Sequence, residues 1–272
     1  MKRALHGAIL VVALFVAGMR AVNAEPAVAV RRPANPLFAF ATHAPDHVLR
    51  ELGYSPIQHL VTTVDLDNEP AYPADAKDTI RKREGPDAVL WVLVKGSRDT
   101  RQDGQAVAVI RDLAAVAAEN GVRTAIYPHA GNYLATAREA LRVVKHVDQP
   151  NVGLVLALFH ELAADQEDDL PQIIEEVAPH LFVVTISGTD RKARGQPAEF
   201  ARMIRPLGQG DFDVYGVLER LEAVGFTGPV GLLCHGLKGD PEVHLRESMS
   251  TWKSIPRGSP RNMSRAHHTA QS

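Results

Sequence analysis

Short apolar runs alternate with amphipathic stretches along most of this chain, the rhythm of βα units building a parallel sheet. Residues 37–41 (LFAFA) open the series, and residues 59–64 (HLVTTV) follow, short and β-branched. Residues 88–94 (AVLWVLV) are apolar throughout, as a strand covered on both faces must be, with Pro86-Asp87 before and Lys95-Gly96 after. Ala106, Val109, Ile110, Leu113, Val116 and Ala117 recur at helical spacing until Asn120-Gly121 ends the run. Residues 123–127 (RTAIY) then predict a strand, and Thr136-Ala-Arg-Glu139 has the form of a capping box opening a helix through Val144. Strands are predicted again over 152–158 and 181–186, with Ile173, Ile174 and Val177 marking the helix between them. Residues 213–224 predict a helix closed by Gly225, residues 229–233 the last strand and residues 241–254 the last helix. An open doubly wound sheet accommodates these strands; a barrel needs an eighth, for which residues 55–58 are the candidate.

The two ends fall outside this rhythm. Lys2 and Arg3 precede an apolar run over 8–17, and Val22-Asn23-Ala24 supplies the small residues a signal peptidase reads. Residues 1–24 therefore read as a secretory signal peptide, and the run is too short for a comfortable membrane span. Residues 256–272 (PRGSPRNMSRAHHTAQS) have no apolar period and read as a disordered tail. Between them, residues 25–255 are expected to form one domain, released from the membrane and secreted or periplasmic. Hydrophobic residues make up 45% of the chain, enough for a large core, and the net charge is −2 with both signs mixed throughout. A nucleic-acid partner calls for a basic stripe, which the folded part lacks. Cys234 is the single cysteine, so no intrachain disulfide supports the domain.

Four segments carry a resemblance: GVRTAIYPHAGN (121–132), DQPNVGLVLALFH (148–160), PLGQGDFDVYGVLERLEAVGFTGPVGL (206–232) and ESMSTWKSI (247–255). In order and spacing they resemble the second half of the xylose-isomerase-like barrels, the superfamily of sugar phosphate isomerases and epimerases. The resemblance implies an α/β fold, a (β/α)8 TIM barrel, here with a shortened or incomplete second βα unit between Tyr54 and Asp67. It implies a small-molecule carbohydrate as partner and an isomerase as the reference activity. It also implies a divalent metal held by two Glu, an Asp and a His at strand ends. At those positions this chain has Tyr127, Ala157, Thr185 and Leu233, while His160 is retained. No metal ligand is matched, and no cofactor is expected from the sequence.

In a barrel, residues just after the strands converge on one mouth. His43, His129, His160 and His235 hold such positions, with Lys95, Asn132, Glu161, Asp190 and Lys238 near the same rim. Neighbouring strands bring His129 close to His160, and His235 towards His43. His129 and His160 are the candidate catalytic residues, because imidazole takes and gives a proton near neutrality. Lys95, Asn132, Asp190 and His235 are the candidate substrate-binding residues, and Asp190 or Glu161 is placed to orient an imidazole. A second version makes the histidines ligands of a softer metal such as zinc. Three functions remain open: a carbohydrate-active isomerase-like enzyme, a non-catalytic sugar-binding or scaffold protein, and a histidine-based lyase or hydrolase. A mouth filled by Tyr127, Phe159 and Leu233 would count against catalysis.

Overall fold

The computed structural model describes residues 35–83, 88–98, 100–191, 200–237 and 239–255, in which seven parallel strands curl into one sheet. In chain order, β1 (Leu37–Phe40) leads to α1 (Asp46–Leu52), β2 (Gln58–Asp65) to α2 (Ala76–Arg81), and β3 (Ala88–Lys95) to α3 (Asp103–Glu119). Then β4 (Arg123–Ile126) leads to α4 (Ala137–Val147), and β5 (Val152–Ala157) to α5 (Leu158–Ala163) and α6 (Leu170–Val177). Last, β6 (Leu181–Ile186) leads to α7 (Phe200–Met203) and α8 (Val214–Ala223), and β7 (Val230–Leu233) to α9 (Pro241–Ser254). The signal peptide expected over 1–24, the tail over 256–272, Pro86-Asp87 and Lys238 lie outside the described residues. No helix among the described residues is long and apolar enough to cross a membrane.

The strands lie in the order β1-β7-β6-β5-β4-β3-β2. Alternation along each strand sorts side chains into two layers. Leu90, Val92, Leu154, Leu156, Val184 and Leu232 pack outward under the helices. Phe38, Val89, Trp91, Ala125, Tyr127, Val155, Ala157 and Val183 pack inward against one another. Gly231 of β7 belongs to that inner layer: a Cβ there would stand 2.6 Å from the Phe38 ring. A strand glycine that admits a neighbouring side chain this closely cannot be replaced without moving β1.

The curl does not close through a backbone ladder. β1 and β2 are the free ends of the strand order, facing each other through Phe38 and Phe40 against His59, with ring centroids 6.0 and 5.1 Å apart. The eighth strand expected over 55–58 is not a separate strand: Gln58 begins β2, and residues 55–57 stay outside any ladder. Ser55 N–H does reach Leu37 O at 2.7 Å, but Pro56 has no N–H with which to continue. β1 also stops after four residues while β2 runs for eight. Val61 of β2, register partner of Trp91 on the inner face, is consequently 54% exposed.

The capping box at α4 is present in full. Thr136 Oγ1 accepts from Glu139 N–H at 3.3 Å, and Glu139 Oε2 accepts from Thr136 N–H at 3.2 Å. Thr136→Ala should cost about 1 kcal/mol, read as a lower urea midpoint at unchanged slope. An unchanged midpoint would show that the surrounding packing alone holds this helix end.

Candidate functional site

All of the strands run parallel, so their C-terminal ends form a single rim. The centre of that rim is filled by rings. Trp91 is fully buried and stacks on Tyr127 with centroids 5.0 Å apart and planes 20° apart. Phe40 closes on Trp91 at 4.6 Å, and His59 lies 5.3 Å from Trp91 and 5.1 Å from Phe40. Tyr127, Phe159 and Leu233 are all buried. Burial pushes the Tyr127 phenol well above its usual range, against a weaker opposite pull from the Thr185 hydroxyl, so the phenol stays protonated. Among the described residues, Trp91 Nε1 finds no hydrogen-bond partner. Trp91, Phe40 and His59 were not among the residues marked from the sequence. The alternation through AVLWVLV, which sets Val89, Trp91 and Leu93 on one face, was the available signal.

Beside this plug stand His129 and His160, with ring centroids 4.2 Å apart. Both grip the same residue. Ala130 N–H donates to His160 Nδ1 at 3.2 Å, and His129 Nδ1 lies 2.9 Å from Ala130 O. A carbonyl can only accept, so His129 carries its proton on Nδ1, and its neutral ring has a bare Nε2. His160 is the reverse, with Nδ1 bare and the proton of its neutral ring on Nε2. Burial first, and then the repulsion two charged rings would feel at this distance, hold the His160 imidazole down at about 3. The pair thus offers one proton acceptor and one neutral donor side by side.

The next residue completes the hold on this loop. Glu161 is fully buried; its Oε1 accepts Ala137 N–H at the start of α4 at 2.7 Å, and its Oε2 has no partner among the described residues. Burial raises its carboxyl to about 7, Ala137 N–H and Arg138 pulling down and Glu139 pushing up. Glu161 therefore anchors the β4–α4 loop and does not orient an imidazole. Asp190 does not either: it is buried, with Arg202 Nε at 2.8 Å and Arg205 Nη1 at 3.1 Å. Those partners follow Asp190 in the chain and fold back over it, a placement no local pattern announces.

The remaining marked residues spread around the rim. Lys95 ends β3, exposed, with Asp65 as its register partner. Asn132 is half-buried in the β4–α4 loop, its N–H donating to His129 O at 2.9 Å and its carbonyl accepting from Arg98. His235 and His43 are exposed beyond the paired strands β7 and β1. Cys234 is half-buried, and burial pushes its thiol up to about 12, so it is no nucleophile at neutral pH.

A family model described as xylose isomerase-like TIM barrel matches residues 85–255, more than half of the chain. The chain belongs to this family. Within the curated proteins, 125 residues are 34% identical to a 3-dehydroshikimate dehydratase of Pseudomonas aeruginosa, covering 45% of this chain and 19% of that protein. The chain thus spans about a fifth of the length of that relative. Two solved structures share the fold. The 3-keto-D-glucoside 4-epimerase of E. coli superposes with a TM-score of 0.62 at 14% identity, covering 80% of this chain and 98% of that one. A xylose isomerase-like TIM barrel protein from Mycobacterium smegmatis, solved in complex with magnesium, gives 0.57 at 15% identity over 83% and 98%.

A hard divalent cation takes carboxylate, carbonyl or water oxygens. The positions where the resemblance puts its ligands offer a protonated phenol (Tyr127), a methyl (Ala157), a hydroxyl (Thr185) and an isobutyl group (Leu233), all buried. This set does not fit such an ion. Among the described residues, no group of three or more His, Cys, Asp or Glu gathers around one point elsewhere.

Proposed function

We propose that this chain is an exported, metal-independent member of the family that binds a small polyhydroxylated ring without isomerising it. The observation that carries the reading is the set of buried strand-end side chains, Tyr127, Ala157, Thr185 and Leu233, with Trp91 stacked beneath. Metal-assisted isomerisation needs a cation to polarise a carbonyl and a neighbouring hydroxyl, and these side chains supply neither its ligands nor its space. The ligand class rests on the relatives, whose names refer to an oxidised cyclic polyol acid and a ketoglucoside. Export is supported by Lys2, Arg3 and the apolar run over 8–17. Outside the cytoplasm a free sugar derivative is more available than a sugar phosphate.

The deciding experiment uses the mature protein from Glu25, without a histidine tag. After dialysis against Mn²⁺, Mg²⁺ and Zn²⁺, elemental analysis should find no stoichiometric metal, and no added cation should elicit ketose–aldose or epimer interconversion. Stoichiometric metal together with turnover would overturn the proposal. A second reading is favoured by the 4.2 Å His129–His160 pair: metal-free proton transfer, with the bare His129 Nε2 as base. It requires a turnover that His129→Ala abolishes while the far-UV spectrum and melting temperature hold.

A further inference from the structure

An open cleft of about 310 Å³ lies against the C-terminal half of β2, lined by Thr63, Asp65, Asn68, Pro70 and Tyr72 among others. Thr63 pairs in register with Leu93 and Asp65 with Lys95, and these odd positions of β2 share the inner face with His59 and Val61. The walls of the cleft come from the end of β2 and the loop that follows, residues 63–74. Its volume is at the small end of ligand pockets.

We infer that this cavity is the binding site for an uncharged, polyhydroxylated five- or six-membered ring. The inference rests on the binding reading above and gives it a location. Asp65 Oδ1 accepts Asp67 N–H at 3.2 Å and Oδ2 accepts Asn68 Nδ2 at 2.8 Å. Each carboxylate oxygen keeps a lone pair for a hydroxyl donor. Thr63 adds a hydroxyl and Asn68 an amide oxygen, while Pro70 and the Tyr72 ring offer apolar surface for the C–H edges of a ring. Among the described residues that line it, one is a carboxylate and none is a cation, which disfavours a phosphorylated or acidic ligand.

The walls are already held in place. Asp65 N–H donates to Ala71 O at 2.7 Å, Leu66 N–H to Lys95 O at 3.0 Å, and Gln105 Nε2 to Leu66 O at 2.9 Å. Gln102 Nε2 holds Asp67 Oδ1 at 2.7 Å, and the Tyr72 hydroxyl donates to Asp112. A loop tied this way loses little further entropy when a ligand arrives.

The test is calorimetric titration of the mature protein with myo-inositol, D-glucose and D-xylose, and with shikimate as the acidic counterpart. Asp65→Ala removes the acceptor, and Ala74→Trp fills the cavity from an exposed position without touching the bonds named above. Saturable binding of a neutral probe that both variants weaken about tenfold or more supports the site. Should Asp65→Ala unfold, Ala74→Trp alone decides. Binding that Ala74→Trp leaves unchanged overturns the site while the binding reading stands. Shikimate binding more tightly than every neutral probe overturns the ligand class, and no saturable binding of any probe overturns the site and the reading together.

Discussion

Trp91→Ala should destabilise the folded chain by about 3–5 kcal/mol, the range for removing a large buried aromatic side chain. The ring is completely buried, and its neighbours Phe40, Tyr127 and His59 come from three other places in the sheet, at 4.6, 5.0 and 5.3 Å. Those neighbours sit on or beside strands held by backbone ladders, so they cannot collapse into the void, and most of its cost remains. Trp91→Phe separates packing from polarity. It keeps an aromatic ring in place and deletes an indole N–H that has no partner among the described residues, so its loss should be well under half of the alanine value. Urea denaturation followed by far-UV circular dichroism reads both. An alanine variant within about 1 kcal/mol of the parent would show that the barrel interior is loosely packed. The plugged mouth, and the proposed loss of metal chemistry with it, would then have to be abandoned.

The second large effect concerns pH. The folded chain holds His160 at about 3 against an ordinary 6.5, so below 6.5 the unfolded chain binds a proton that the folded chain refuses. Stability from this group is complete above 6.5 and falls as pH drops towards 3, by up to about 5 kcal/mol. Glu161 works in the opposite sense. The folded chain holds its carboxyl at about 7 against an ordinary 4.5, so stability is complete below 4.5 and falls as pH rises through 7, by about 3 kcal/mol. Between 4.5 and 6.5 the two slopes cancel, giving a plateau with an acid limb from His160 and a shallower neutral limb from Glu161.

Difference curves against the parent isolate each group from the remaining carboxylates and histidines. Glu161→Gln keeps an oxygen for Ala137 N–H and removes the charge. It should match the parent at about pH 4 and exceed it by about 3 kcal/mol at about pH 8. His160→Gln should flatten the acid limb. Flat difference curves for both variants would mean that water reaches these groups in the folded chain.

The helix and strand content could be read from the one-dimensional pattern wherever the pattern was long and periodic. The helix predicted over 241–254 is α9, the Thr136 capping box opens α4, and Gly225 follows α8. Each depends on spacing within a few turns, which is local information. The short helices α1, α2, α5 and α7 carried too few residues to display a period. The proximity of His129 and His160 was also legible, because consecutive parallel strands are neighbours and residues after them share a rim. What Asp190 and Glu161 do there was not. One is held by Arg202 and Arg205, the other by a helix start 24 residues earlier in the chain. Their roles depend on which backbone and side-chain groups burial leaves without water, and that is a property of the packed whole.

The sequence by itself determined the alternation of strands and helices, the family, and which side chains stand at four strand ends, Tyr127, Ala157, Thr185 and Leu233. These follow from residue identity and short-range periodicity. Only the tertiary structure decided that the barrel stays open between β1 and β2, that Trp91 and Tyr127 stack in its mouth, and that a cavity opens beside β2. Closing a sheet pairs strands from distant parts of the chain. Whether the last pair forms depends on strand lengths, on a proline without a donor, and on the space the interior rings require, and those quantities meet only when the sheet curls.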